Sequence, residues 1–154
     1  MGARKRRLRL DDQLCFALYA ATNAVVRAYR PLLGELGLTY PQYLVMLALW
    51  QDGAAPAHTL AARLQLGASA ITPLVDRLEA AGLVTRARGT DRRVVLVALT
   101  EAGRRLEEKV AVAQQAVVCR TGLEEDSLAA LRQELKALAD RIAGSGSVPQ
   151  DETV

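Results

Sequence analysis

The chain has 154 residues and a net charge of +3, and 51% of its residues are hydrophobic whereas only 4% are aromatic. This length suits one domain with a core of leucine, valine and alanine, and no apolar run approaches the roughly 20 residues of a membrane span. No apolar segment follows the basic N-terminus, so a soluble cytoplasmic protein without a secretory signal is expected. The only histidine, His58, has no cluster of metal-ligand spacing around it, which predicts no metal site and no cofactor.

Residues 1–9 are predicted to form a basic arm. Residues 1–10 contain five cations and no acid, which leaves −2 of the net charge for the remainder of the chain. Such an arm can follow a phosphate backbone, but it can equally be a solvated, disordered start.

A first long helix is predicted over residues 10–36. Asp11 or Asp12 is available as its N-cap, and Pro31 should kink or restart it. Apolar residues repeat along it at the heptad spacing of a helix that packs against another helix, namely Leu14, Leu18, Ala21, Val25, Ala28 and Leu32.

The next helix is predicted to begin near residue 41. Thr39 is placed to cap it, Pro41 lies in its first turn, and Gln42 follows the cap by three residues, as in a capping box. The Asp52-Gly53 pair ends this helix.

Two helices and a hairpin follow within residues 57–100. The second of these helices has its apolar residues at helical spacing, and Gly82 marks its end. Two β-like runs, 83–86 and 94–99, flank a polar turn that is rich in arginine. The order of helix, turn, helix and basic hairpin indicates a winged helix-turn-helix over residues 41–100.

The basic hairpin and the helix before it predict binding to double-stranded DNA. The hairpin contains four arginines and one acid, a charge pattern that favours DNA binding. The alternative is a helix pair packed on an unrelated hairpin whose arginines are only solvated. Ser69, Thr72 and Arg77 are the candidates to face the major groove. Arg93, held by Asp91, is predicted to enter the minor groove, and Arg86 and Arg88 to contact phosphates, with Arg92 adding charge to the tip.

Two more long helices are predicted after the hairpin. Thr100 is placed to cap the first, whose stripe is Leu106, Val110, Ala113 and Val117, and the last carries Leu128, Leu131, Leu135, Leu138 and Ile142. Residues 10–36 and 104–143 are therefore predicted to be dimerisation helices, with 10–143 a single domain and 144–154 a disordered tail. The expected fold is mainly α with a small β-hairpin wing (α+β), a winged helix-turn-helix with long N- and C-terminal helices.

These long stripes favour a homodimer, although packing on the same subunit is the alternative. A dimer would place two winged helices one DNA turn apart, roughly 34 Å, and would therefore read a pseudo-palindromic operator.

The chain resembles the MarR family of bacterial transcriptional regulators over about residues 8–143. The resemblance rests on the segments 64–66, 71–79, 81–83, 91–93 and 99–103. Residues 12–19 and 38–43 are most similar to the organic hydroperoxide resistance regulators of that family, of the two-cysteine type. The start of the second winged-helix helix, Gly67-Ala68-Ser69-Ala70, departs from the family's Asp-Ser start and offers fewer polar side chains to bases.

This resemblance implies that Cys15 is a sensing thiol, that Tyr29 and Tyr40 are its paired tyrosines, and that the partner's Cys119 resolves the oxidised sulfur. In the first turn of a helix Cys15 gains thiolate character, which the neighbouring acids oppose, and Tyr19 lies one turn away. Tyr29 is 14 residues further along, about 21 Å, so it could meet only the Cys15 of the other subunit. From spacing alone, both cysteines would be small core residues.

Three functions are compatible with these features. The first is a repressor that releases its operator when an organic hydroperoxide oxidises Cys15. The second is a MarR-type repressor released by a small phenolic or lipophilic ligand, with cysteines that sense nothing. The third is a thiol peroxidase, which ranks last because an enzyme has no use for a basic wing, so no enzyme activity is predicted. For the first, a Cys15–Cys119 separation beyond the roughly 7 Å between Cα atoms that a disulfide allows is expected before oxidation.

Overall fold

The computed structural model describes residues 8–144, and these divide into two compact units, 8–117 and 118–144. After a 3₁₀ turn (Leu10–Asp12), the elements are α1 (Leu14–Glu35), α2 (Tyr40–Asp52), β1 (Ala55–Pro56), α3 (Ala57–Arg63), α4 (Ala68–Ala80), β2 (Val84–Arg88), β3 (Val95–Leu99), α5 (Glu101–Arg120) and α6 (Glu125–Gly144). The predicted basic arm and C-terminal tail lie almost entirely outside the described residues. Within residues 8–144 no single helix is long and apolar enough to cross a membrane, although α1 and α2, bent by 78°, reach that length and composition together.

The three strands form one antiparallel sheet in the order β1-β3-β2. The hairpin pairs Val84 with Leu99 at its base and Arg88 with Val95 near its tip. Both hairpin strands are confirmed, with bounds shifted by one or two residues from the prediction. The two-residue strand β1 was not predicted; it pairs Ala55 with Val97 and so joins the segment before α3 to the hairpin.

The start of α1 differs from the prediction. Asp11 and Asp12 belong to the 3₁₀ turn, and the N-cap of α1 is Gln13, which makes no side-chain capping bond. The predicted aspartate cap is therefore wrong, because the turn uses those residues before the α-helix begins. The sequence predicted a kink or a restart at Pro31, and the restart is wrong: α1 continues through Pro31 to Glu35, and the fully buried Leu33 follows it.

Helix α2 lies at the centre of the core of residues 8–117. Its predicted capping box is confirmed: Thr39 Oγ1 accepts from the Gln42 N–H at 3.4 Å, and Gln42 Oε1 accepts from the Thr39 N–H at 3.0 Å. Apolar side chains surround the helix on most sides, and five of them are buried: Tyr43, Val45, Met46, Ala48 and Leu49. A helix that is apolar around most of its circumference is stable only when other elements enclose it.

Helix α4 buries one face and ends at a glycine. Ile71, Val75 and Leu78 are at most 2% exposed, as their i, i+4, i+7 spacing predicts. Gly82 has a φ of +74°, its N–H donates to Glu79 O, and the next N–H, of Leu83, donates to Leu78 O. This is a Schellman motif, and it turns the chain directly into β2.

The hairpin base, the end of α4 and the start of α5 meet at one joint. The Thr100 N–H donates to the Leu83 carbonyl oxygen at 3.0 Å, and Thr100 Oγ1 caps α5 by accepting from the Gly103 N–H at 3.1 Å. The same hydroxyl donates to Gly82 O at 2.6 Å, and Trp50 Nε1 on α2 donates to Gly103 O at 3.0 Å. A Cβ on Gly103 would overlap the Leu83 carbonyl oxygen, so only glycine fits there.

The predicted apolar stripes differ in how far the chain itself covers them. On α5, Val110, Ala113 and Val117 are buried, which is the packing on the same subunit that the sequence left open. On α1, Leu14 and Val25 remain 60% and 38% exposed. In the unit 118–144, α6 has no buried residue.

Replacement of Gly103 by alanine is expected to destabilise the fold. The added methyl group must displace backbone rather than a flexible side chain, which costs on the order of 1–3 kcal/mol. Urea unfolding measures this loss. The matched control is Gly34→Ala in α1, where no atom outside the neighbouring backbone of the same helix lies within 4 Å of the new Cβ. It should be neutral or stabilising, and an equal loss in both variants would contradict the role of the joint.

Candidate nucleic-acid interface and thiol site

Helix α4 contains the three residues that the sequence predicts to face the major groove. Ser69, Thr72 and Arg77 are all exposed. Ser69 and Thr72 are three residues apart and share one side of the helix, whereas Arg77 lies roughly 140° around the axis from Thr72. The structure therefore brings the first two together and not the third. Asp76, one turn after Thr72, shares their side, and the sequence prediction omitted it.

Four hydrogen bonds shape the tip of the hairpin. The Gly89 N–H donates to Val94 O and the Val94 N–H to Asp91 O, both at 3.0 Å, which closes the turn. Asp91 Oδ1 accepts from the backbone N–H of Arg93 at 3.0 Å, and Arg88 Nη1 donates to Arg92 O at 2.7 Å. The turn thus presents Arg92 and Arg93 as exposed side chains, while Arg88 is partly used within the tip.

Arg86 occupies a different environment from the other hairpin arginines. The sequence predicts a phosphate contact for it, whereas the structure gives its guanidinium two carboxylate partners on α4. Nη2 lies 2.5 Å from Asp76 Oδ1 and Nη1 lies 2.9 Å from Glu79 Oε1. The hydrogen bond that its guanidinium donates to Asp76 is the largest cause that raises the pKa of Arg86 above its ordinary value.

The two cysteines are both exposed thiols. Cys15 is the second residue of α1 and therefore lies in the first turn of that helix. Tyr19, one turn further along, is 67% exposed. Cys119 lies in the last turn of α5. Because α1 is one continuous helix, Cys15 and Tyr29 are about 21 Å apart along it and cannot meet within one chain.

Three tyrosines form a cluster between α1 and α2. The ring centroids of Tyr29 lie 5.5 Å from Tyr40 and 5.1 Å from Tyr43, and the Tyr43 hydroxyl donates to the Tyr29 hydroxyl at 3.4 Å. Burial is the first cause that raises the pKa of Tyr40 and of Tyr43, and the hydrogen bond to Tyr29 adds to it for Tyr43. The sequence prediction paired Tyr29 with Tyr40 but missed Tyr43, whose position three residues after Tyr40 on α2 was the available signal.

A cleft of about 380 Å³ opens between α2 and α5 beside this cluster. Aromatic, aliphatic and amide side chains line it, together with one acid: Tyr43, Leu47, Trp50, Gln51, Glu107, Val110, Ala111 and Gln114. Apolar walls with a few polar groups are typical of small-molecule sites. Within residues 8–144 no group of three or more His, Cys, Asp or Glu side chains is arranged to hold a metal ion.

A helix-turn-helix followed at once by a basic hairpin defines a winged-helix protein of the DNA-binding class. Residues 38–95 match the MarR family. The chain is 44% identical over 144 residues to the HTH-type transcriptional regulator TtmR of Methylorubrum extorquens (strain PA1). This match covers 91% of this chain and 74% of the other protein. It is 43% identical over 103 residues to the organic hydroperoxide resistance transcriptional regulator of Bacillus subtilis (strain 168). This match covers 66% of this chain and 70% of the other protein.

The chain belongs to the MarR family and is a MarR-type DNA-binding transcriptional regulator. Its fold is similar to that of reduced AbfR bound to DNA, with a TM-score of 0.70, 29% identity, and coverage of 92% of this chain and 99% of that one. It is also similar to CouR of Rhodococcus jostii RHA1 bound to p-coumaroyl-CoA, with a TM-score of 0.77, 31% identity, and coverage of 86% and 96%. These neighbours confirm the winged-helix fold predicted from the sequence, and the relatives are regulators rather than enzymes.

Loss of Arg93 is expected to weaken DNA binding by about 1–3 kcal/mol, the range for one good contact. The measurement is fluorescence anisotropy on a duplex that the wild-type protein has selected from a randomised pool. Arg27→Ala, which removes an exposed cation from α1, is the charge-matched control. Wild-type affinity in Arg93→Ala would mean that the wing tip does not contact DNA.

The stability of the fold should fall above pH 10. Because folding raises the pKa of Tyr43 above its ordinary 10.0, the unfolded chain loses that proton first. The contribution of Tyr43 to the free energy of unfolding is therefore complete below pH 10. It is lost as the pH rises further, by up to about 1.4 kcal/mol per pH unit. Urea unfolding between pH 9 and 11 should show a shallower fall for Tyr43→Phe. Equal slopes for the wild type and Tyr43→Phe would contradict this assignment.

Proposed function

We propose that this protein is a homodimeric repressor that senses organic hydroperoxides by oxidation of Cys15 and then releases its operator. The observation that carries this proposal is an exposed thiol in the first turn of α1. A structural cysteine is ordinarily buried, whereas a sensing cysteine must be both accessible and partly ionised. The similarity to the organic hydroperoxide resistance regulator of Bacillus subtilis supports the same chemistry.

Dimerisation is supported by apolar surface that the chain leaves uncovered. Leu14 on α1 is 60% exposed, and Leu131 and Ile142 on α6 are 49% and 65% exposed. Each belongs to a heptad stripe, and stripes of this kind are covered by another helix. A second copy that covers them provides two winged helices for the two half-sites of a pseudo-palindromic operator.

On the proposed interface, Ser69 and Thr72 face the major groove, whereas Arg77 lies on another side of α4 and is assigned no base contact. Arg93 enters the minor groove, and Arg88 and Arg92 lie against phosphates. This arrangement is supported by the exposure of these side chains and by the turn that Asp91 stabilises through the Arg93 N–H. The positively charged tip then meets the most negative part of the duplex.

Oxidation proceeds in two balanced steps. The Cys15 thiolate attacks a peroxide oxygen, the O–O bond breaks, and the alkoxide takes up a proton and leaves as an alcohol, so that the sulfur is oxidised to a sulfenic acid. The partner's Cys119 thiol then attacks that sulfur, the S–O bond breaks, and water leaves as the inter-subunit disulfide forms.

The tyrosine cluster serves the first step. A tyrosine hydroxyl can donate a hydrogen bond to a thiolate. Tyr43 donates to the Tyr29 hydroxyl, which leaves the proton of Tyr29 available for another acceptor. Since Tyr29 cannot reach Cys15 of its own chain, that acceptor is the Cys15 of the other subunit. Tyr40, which lies beside Tyr29, and Tyr19, one turn from Cys15, complete the site. Release of DNA then follows if the oxidised dimer has the lower affinity for the operator.

Cys15→Ser should bind the selected duplex as tightly as the wild type and should fail to release it when cumene hydroperoxide is added. A gel shift with and without the hydroperoxide measures this. On a non-reducing gel, one equivalent of hydroperoxide should give a covalent dimer of the wild type.

Cys119→Ser separates sensing from resolution in the same assay. It should lose the covalent dimer and still respond at first through the sulfenic acid. A covalent dimer that survives Cys15→Ser, or release of DNA that is unaffected by that change, would contradict the proposal.

The cleft beside the tyrosine cluster favours a second candidate, in which a small phenolic or lipophilic compound releases the operator and the cysteines sense nothing. It is supported by the apolar lining of the cleft and by the similarity to CouR. Release by an aromatic acid that persists in Cys15→Ser, together with no response to hydroperoxide, would establish this candidate instead.

A further inference from the structure

Arg86 on strand β2 bonds to two acidic residues of helix α4. Its guanidinium spans Asp76 and Glu79, at 2.5 and 2.9 Å. Its backbone N–H donates to the second carboxylate oxygen of Glu79 at 3.2 Å, so both oxygens of that acid are engaged. The side chain is 30% exposed and its partners are 59% and 44% exposed.

We propose that Arg86 is a positioning residue, which fixes the hairpin relative to α4 and neutralises two acids on the face that meets DNA. It holds α4 and the wing tip in the arrangement that lets both bind one duplex. This role requires DNA binding but not peroxide sensing, so the two proposals fail separately.

The charges on α4 explain why such a residue is needed. Asp76 lies on the same side of the helix as Ser69 and Thr72, and Glu79 follows it by three residues. Two carboxylates on a surface that approaches a polyanion repel it, because phosphate contacts dominate the affinity of such interfaces. Arg86 places a positive charge between them and removes most of that repulsion.

The shape of the guanidinium explains why this position needs an arginine. Arginine presents its donors in a planar fork that can engage two carboxylates at once, whereas lysine is a point charge that cannot hold both in fixed positions. Three of the five guanidinium N–H groups remain after the two contacts to α4. A phosphate contact by the same side chain is therefore the competing role, and the two roles predict opposite effects of removing the acids.

The test measures the dissociation constant of the selected duplex at several salt concentrations for Asp76→Asn, Glu79→Gln, Arg86→Gln and Arg86→Lys. A positioning role predicts that each acid variant binds about two- to fivefold more weakly even though it becomes more positive. Arg86→Lys should be as weak as Arg86→Gln, and the salt dependence should keep its wild-type slope. A protein that carries both Asp76→Asn and Glu79→Gln should lose little further affinity when Arg86→Gln is added, because the three residues act as a unit.

A phosphate contact predicts the reverse. Removing the acids would release Arg86 and strengthen binding, Arg86→Lys would retain most of the affinity, and Arg86→Gln would lower the salt slope by about one per subunit. Any of these three results overturns the proposal, as does wild-type affinity in both acid variants.

Two controls keep the result interpretable. Glu108→Gln makes the same charge change on α5 and should not weaken binding. Circular dichroism and the urea midpoint establish that each variant is folded; the partners of Arg86 are exposed, and if one acid variant unfolds, the other still decides between the two roles.

Discussion

Gly103 approaches the carbonyl oxygen of Leu83 so closely that no side chain fits between them. The rest of the winged helix depends on this contact, because it lets α5 begin directly beside the turn that ends α4. Thr100 uses the same proximity to bond both to that turn and to its own helix. Close-packed joints of this kind are not continuously deformable, so the end of α4, the base of the hairpin and the first turns of α5 move together.

The sequence predicted those parts of the fold that depend on residues near one another. The capping box of α2, the glycine that ends α4 and the buried face of α4 each follow from side chains within one or two turns. Strand β1 could not be predicted in this way, because two residues have no period and Ala55 pairs with a residue more than forty positions later. The aspartate cap failed for a related reason: a 3₁₀ turn and a helix start share the same local signal, and which one forms depends on what the chain packs against.

For the candidate site, residue types were easier to predict than partners. The exposed arginines of the wing tip followed from composition and turn chemistry alone. The partners of Arg86 depend on the angle between β2 and α4, which no local pattern encodes. The sequence alone therefore predicts a phosphate contact for Arg86, as it does for Arg88. Tyr43 was missed because its role comes from a hydroxyl on another helix, that of Tyr29. Residues of the same type in one short segment thus differ in function because the tertiary structure gives them different partners.

Trp50 is the only tryptophan in the chain. Its indole N–H is bonded to the carbonyl oxygen of Gly103 at the joint, and its ring lines the cleft between α2 and α5. The emission of an indole changes with its hydrogen bonding and its exposure to water. The protein therefore contains an optical reporter of its own, and a spectrum recorded without any label reads the state of the joint as DNA, oxidant or a small molecule is added.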